Sequence, residues 1–297
     1  MQATPQNTIF VTALTHTNQD FFTVMSTARK NDVFVHVLKT NVYPPNLWRL
    51  KMVTLHHHLK EQKSSGKEYF FFFDAYDVIF LKHRDEILRR FNEVYNGITI
   101  FNADYPRSLY PYTNSDVCYA QDELKSTWLI NWIQNGDTET SRMLNTGLFA
   151  GRIDDYLSLF DTVCLVKSDF LKRQMPFPLA NRLYEDLSVE KVKQDDQLVF
   201  WLTMLNYPNL FHIDSRKELL TVAATGSMME RNLEEYRTTS RERPLKDGTY
   251  IGSAVLLHSA GGSVRNMGFV YRHQLHEPVR TSEASGAFIE NLSFMEK

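Results

Sequence analysis

The chain has 297 residues, 43% of them hydrophobic and 13% aromatic, which is enough to bury one large α/β core or two small ones. With 33 basic against 35 acidic side chains the formal net charge is −2, so nothing suggests a nucleic-acid-binding surface. Met1 to Thr8 is polar and Ile9-Phe10-Val11 is far too short to span a bilayer, so no leader and no membrane span are expected.

Apolar runs alternate with helical-period stretches from the start. Ile9 to Leu14 predicts a strand that ends in Thr15-His16-Thr17-Asn18. Phe21 to Lys30 predicts a helix, and Val33 to Leu38 a second strand. Pro44-Pro45 breaks the chain before a helix from about Leu47 to Glu61, with Met52, Leu55 and Leu59 along one face. Tyr69 to Phe73 is a continuous apolar run, read as a core strand covered on both faces. Asp85 is placed to cap a helix through Ile87, Leu88, Phe91, Val94 and Tyr95, closed by Gly97. Ile98 to Phe101 is the next strand. This alternation predicts a doubly wound, mostly parallel α/β sheet of the Rossmann-like kind.

Beyond Phe101 the pattern loosens. Residues 102–121 read as a long loop, Trp128 to Ile133 as a short amphipathic piece, and Leu144 to Ala150 as a strand interrupted by Gly147. Asp154 starts a helix with Leu157, Phe160 and Val163 on one side, and Asp195-Asp196 opens another. Phe211 to Asp214 reads as a strand, 228–247 as a charge-dense excursion, and Val255 to Leu257 as a last strand delivering His258. One domain over residues 1–272 is expected, with a polar tail over 273–297. Two cysteines, Cys118 and Cys164, read as reduced thilos of a cytoplasmic protein rather than as a disulfide.

Chemistry concentrates at strand ends. Asp74 and Asp77 close the Phe-rich run, and a carboxylate there is costly unless it faces a cleft or holds a cation. Their spacing alone fits a helix N-cap equally well; their place at a strand end favours a divalent metal, since oxygen ligands suit magnesium or manganese. His258 ends an apolar strand before Ser259-Ala260-Gly261-Gly262, whose glycines permit close approach to a ligand. Adding its imidazole would make a mixed nitrogen and oxygen set that favours manganese. One of Asp195 and Asp196 can be a helix cap, leaving the other as a catalytic or acceptor-positioning carboxylate. Gly147 inside a strand signals a bulge or a close approach. In His56-His57-His58 consecutive side chains diverge by about 100°, so the run reads as a solvated face with one inward ring.

In order along the chain, Thr-Ala-Leu-Thr at 12–15, Lys51, Phe-Asp-Ala-Tyr-Asp-Val-Ile at 73–79, Ala-Asp at 103–104, Leu-Asn-Thr-Gly-Leu-Phe-Ala-Gly at 144–151, Asp-Asp-Gln-Leu at 195–198 and Leu-Leu-His-Ser-Ala-Gly at 256–261 make one pattern. It resembles the glycosyltransferase domain of the procollagen lysyl hydroxylases and the related collagen galactosyltransferases, which are nucleotide-sugar enzymes of the GT-A fold. The resemblance implies a hexosyltransferase that uses a UDP-sugar donor and a glycan or hydroxylated acceptor. It implies Asp74, Asp77 and His258 as manganese ligands, Thr15 and Tyr76 at the uridine, Lys51 and Gly261 at the diphosphate, and Asp104, Asn145, Asp195 and Asp196 on the sugar and acceptor side. Where the family has Asn-Ser-Gly this chain has Asn145-Thr146-Gly147, and Ser259-Ala260-Gly261-Gly262 replaces a Gly-Asn-Gly. The same acids would also serve a metal-dependent nucleotidyltransferase or phosphohydrolase, and the same fold a catalytically silent carbohydrate-binding protein. A virus-encoded enzyme of this kind would work in the host cytoplasm.

Overall fold

The computed structural model describes residues 2–14, 16–39, 48–104, 143–165, 196, 200, 203–204, 207–214, 218–222 and 255–258. In chain order these form β1 (Thr8–Leu14), α1 (Gln19–Lys30), β2 (Val35–Lys39), a wide π-type turn (Trp48–Val53) running into α2 (Thr54–Ser64), β3 (Tyr69–Asp74), β4 (Val78–Phe80) and α3 (Arg84–Val94). Then follow β5 (Ile100–Asp104), β6 (Met143–Arg152), α4 (Ile153–Leu165), a single 3-10 turn (Pro208–Leu210), β7 (His212–Asp214), β8 (Leu220–Val222) and β9 (Leu256–His258).

The strands join in one sheet of order β2-β1-β3-β6-β5-β8-β9-β4, with β7 also paired to β5. Pairings β1/β2, β1/β3, β5/β7, β5/β8 and β8/β9 are parallel, so the predicted mostly parallel α/β sheet is what forms. β6 runs antiparallel to both β3 and β5, and β4 antiparallel to β9. One edge of the sheet therefore gathers the C-terminal ends of β1, β3, β5, β8 and β9 together with the first residues of β6 and β4. Ligands of open α/β sheets bind outside that edge.

Alternation along β3 explains why it is apolar throughout. Phe71 and Phe73 pack on one face with Phe21, Val24 and Ala28 of α1 and Ile87 and Phe91 of α3. Phe70 and Phe72 pack on the other with Leu55 and Leu59 of α2 and Tyr156 and Phe160 of α4. Each fully buried phenylalanine contributes about 1.5–3 kcal/mol by leaving water. Specific ring contacts add to this, with Phe10 stacked on Phe71 at 4.7 Å and Phe72 against Phe149 at 4.9 Å.

Several expectations are corrected. The helix at 84–94 is capped by His83, whose side chain accepts from the Asp85 amide; Asp85 is a first-turn acid instead. Gly97 does not close that helix, which stops at Val94; its φ of +91° turns the chain towards β5. Asn102, Ala103 and Asp104 belong to β5 and not to a loop. In α4 the inward side runs through Ile153, Tyr156, Leu159, Phe160 and Val163, with Leu157 only half-buried. The predicted helix at 47–61 is helical from 48 to 64, but its first turn is π-type. The pieces expected at 128–133 and 228–247 and the tail at 273–297 lie outside the described residues, as does Cys118.

The three histidines of α2 also differ from expectation: His56 and His58 are both buried and only His57 faces out. The helix is covered on two sides, by Phe160 of α4 stacked on His56 at 4.2 Å and by His36 of β2 lying 5.3 Å from His58. Burial, and then the neighbouring His36, push the His58 imidazole down to about 4 from its ordinary 6.5. The folded value is below the unfolded one, so the unfolded chain takes up the proton first and stability falls as pH drops from 6.5 towards 4. His58 alone is expected to remove up to about 2 kcal/mol between pH 7 and pH 5. Urea unfolding of His58→Phe at both pH values checks this, because the variant should lose that part of the slope.

Candidate active site

Asp74 is the last residue of β3, opposite Ala13 of β1, and Thr12 Oγ1 fixes the strand end by donating to the Phe73 carbonyl at 2.7 Å. The chain turns through Ala75-Tyr76-Asp77 into β4, whose Val78 pairs with His258 of β9. That register sets the imidazole beside Asp77, with Nε2 3.4 Å from Oδ2. Asp74, Asp77 and His258 each offer a ligand atom, and these lie within 4.8 Å of one another. Asp77 Oδ1 is buried with no hydrogen-bond partner among the described residues. An unpaired carboxylate oxygen aimed into a cluster of hard oxygens and one imidazole fits a divalent cation such as manganese or magnesium.

Lys51, from the π-type turn, reaches the same spot. Its Nζ lies 2.6 and 2.9 Å from the two Asp74 carboxylate oxygens and 3.9 Å from Asp196 Oδ2. Burial alone would lower its pKa, but Asp196 and Asp74 together hold the ammonium well above its ordinary value. Burial in turn raises the Asp74 carboxyl, against the pull of Lys51. Removing a charge from this cluster therefore leaves its neighbours uncompensated, which is far costlier than losing a surface ion pair.

β6 supplies the third wall. Its register with β5 shifts between Phe101, opposite Phe149, and Asn102, opposite Asn145, so residues 146–148 bulge. The bulge puts Gly147 under the imidazole: an added Cβ would lie 2.1 Å from His258 Cε1 and 2.6 Å from Nε2. The close approach at Gly147 is thus to the imidazole of His258 in the protein itself. Within the bulge the Gly147 amide donates to Asn145 Oδ1 at 2.7 Å, and Thr146 Oγ1 donates to Asp196 Oδ2 at 2.8 Å. Tyr76 sits at the rim, stacked on His16 at 5.4 Å and donating its hydroxyl to the His16 carbonyl at 2.8 Å.

The structure thus brings Asp74, Asp77, His258, Lys51, Asn145 and Asp196 together, with Tyr76 at the edge. Thr15, Asp195 and Gly261 lie outside the described residues, and Asp104 is placed only by its position at the end of β5. Two participants are new. Thr146 orients Asp196, and Asn102 is buried with its Nδ2 3.3 Å from His258 Nδ1. The signal for Asn102 was a polar side chain among Ile100, Phe101 and Ala103 in a core strand.

An α/β sheet with an acid pair at a central strand end, a lysine and a remote histidine is the arrangement expected of a glycosyltransferase domain. The family model of the PLOD GT domain matches residues 4–171. The chain belongs to that family, the glycosyltransferase domains of the procollagen lysyl hydroxylases. Among solved structures, a glycosyltransferase involved in the glycosylation of the major capsid of PBCV-1 aligns at 9% identity, over 89% of this chain and 98% of its own, with a TM-score of 0.40. The curated proteins include no match. Among the described residues no helix is long and apolar enough to cross a membrane.

Proposed function

We propose that the chain transfers a hexose, glucose or galactose, from a UDP-sugar to a hydroxyl-bearing acceptor with manganese bound. The observation that carries this reading is the convergence of Asp74, Asp77 and His258 with an orphaned Asp77 oxygen, beside a buried lysine. A divalent cation there supplies neutralisation of the charge that gathers on a departing diphosphate. Lys51 adds a preorganised positive charge at the same place, and its present partners show how much negative charge that place accommodates.

Tyr76 offers an aromatic face at the rim for the uracil ring, with Thr15 nearby in sequence on β1's exit. Gly261 follows β9 and would let the chain pass close to the diphosphate. Asn145 and Asp196 border the sugar side, and Asp104 and Asp195 complete the acceptor side in this reading. We place the catalytic unit within residues 1–272, and the two-cysteine composition suits a cytoplasmic setting.

Release of UDP from UDP-glucose and UDP-galactose, with manganese and with or without hydroxylated acceptors, tests the assignment. Thermal stabilisation by UDP-glucose should exceed that by UTP; the reverse order favours a nucleotidyltransferase instead. Asp196→Asn is expected to lower transfer by at least about 100-fold while UDP affinity changes less than about threefold, since the loss falls on the transition state. Unchanged turnover would remove Asp196 from the site.

A further inference from the structure

We infer that Asn102 is a positioning residue for the cation, one whose side-chain amide reverses to set which nitrogen of His258 carries the proton. The inference rests on the metal reading above and deepens it. Asn102 is fully buried in β5, where the register shift against β6 turns it towards β9. Its Nδ2 faces His258 Nδ1 at 3.3 Å, while its Oδ1 is buried with no hydrogen-bond partner among the described residues.

An amide nitrogen only donates, so in this arrangement Nδ1 is the accepting nitrogen of a neutral ring and Nε2 carries the hydrogen. Nε2 then lies 3.4 Å from Asp77 Oδ2 without hydrogen-bonding to it. That tautomer cannot give Nε2 to a cation. A ligating histidine needs its proton on the other nitrogen, directed at an acceptor. Turning the Asn102 amide by half a revolution about its last torsion brings Oδ1 to where Nδ2 now lies. The ring then releases the Nε2 proton, takes one at Nδ1 and stays neutral.

Of the side chains of this size, only an amide carries a donor and an acceptor at equal reach. Aspartate can serve the loaded state alone and leucine serves neither. The present orphaned oxygen is the unused half of this pair.

The test compares wild type, Asn102→Leu, Asn102→Asp and Asp77→Ala by calorimetric titration with manganese. Asn102→Leu should bind manganese about 10–100-fold more weakly, the usual effect of losing such a partner. Its melting temperature should not fall, because a buried unpaired oxygen has been removed. Asn102→Asp should recover wild-type affinity to within about threefold. On wild type itself, nitrogen NMR of labelled histidine should show His258 protonated at Nε2 without metal and at Nδ1 with magnesium. Wild-type affinity in Asn102→Leu, or Nδ1 protonation already present without metal, overturns this inference while the metal site stands. Failure of wild type to bind manganese at all overturns the metal reading, and this inference with it.

Discussion

Replacing Asp77 with alanine is expected to lower manganese-dependent turnover of a UDP-sugar by at least about 1,000-fold, roughly 4 kcal/mol of barrier, without loss of fold stability. Of the two acids it is the cleaner probe. Asp74 lies within 2.9 Å of Lys51 Nζ through both oxygens, so its removal would leave a buried ammonium with only the more distant Asp196, at 3.9 Å, and Asp77 as acidic neighbours among the described residues. Asp77 Oδ1, like Asp74 Oδ1, is buried with no hydrogen-bond partner among the described residues, but it lacks the lysine that stands 2.6 Å from Asp74 Oδ1. Its desolvation is a standing cost that a cation would offset, and alanine removes the cost together with the function. The melting temperature of the metal-free variant should therefore equal or exceed that of wild type, while manganese no longer raises it. Turnover retained at wild-type level would refute the metal assignment.

Gly147→Ala should be nearly as damaging for a different reason. The backbone at Gly147 is not in the left-handed region; what the site needs is the missing side chain. A methyl group there would approach three atoms of the imidazole within 2.9 Å. The ring cannot simply retreat, because β9 is paired to β8 on one side and β4 on the other. Overpacking of this kind costs about 1–3 kcal/mol of stability. The displaced ring should also weaken manganese by about 100-fold or more, the upper end of what disturbed ligand orientation does. A double-mutant cycle separates the two effects. Adding His258→Ala should restore stability, because the clash is gone, but not metal binding. Destabilisation of the same size with and without His258 would show that the glycine serves the backbone and not the ring.

Much of this arrangement was legible from the chain alone. The aromatic run at 69–73 read as a strand covered on both faces, and their place at that strand end, not their spacing, set the acid pair apart from a helix cap. Val255 to Leu257 announced a strand end at His258 in the same way. Pairing was not legible. That β6 runs against its neighbours, and so presents its first residues at the site edge, depends on a long connection whose composition carries no direction. β8 was missed because Leu220–Val222 is too short to show alternation; it is held by Asp214, whose carboxylate accepts from the amides of Glu218, Leu219 and Leu220. The second inward histidine of α2 escaped because the period of one helix does not reveal that two elements flank it. Asn102 carried a signal as a polar side chain in an apolar strand, but its partner His258, and that of Thr146 in Asp196, came only with the pairing of β5 and β6.

β9 slots between β8 and β4, and β4 has no other strand partner among the described residues. A nascent polypeptide that has already built its aromatic centre thus still holds an unfinished reaction chamber, since the histidine comes from far downstream. A chain lacking that late segment would present Asp74 and Asp77 without the imidazole that the proposed metal set needs.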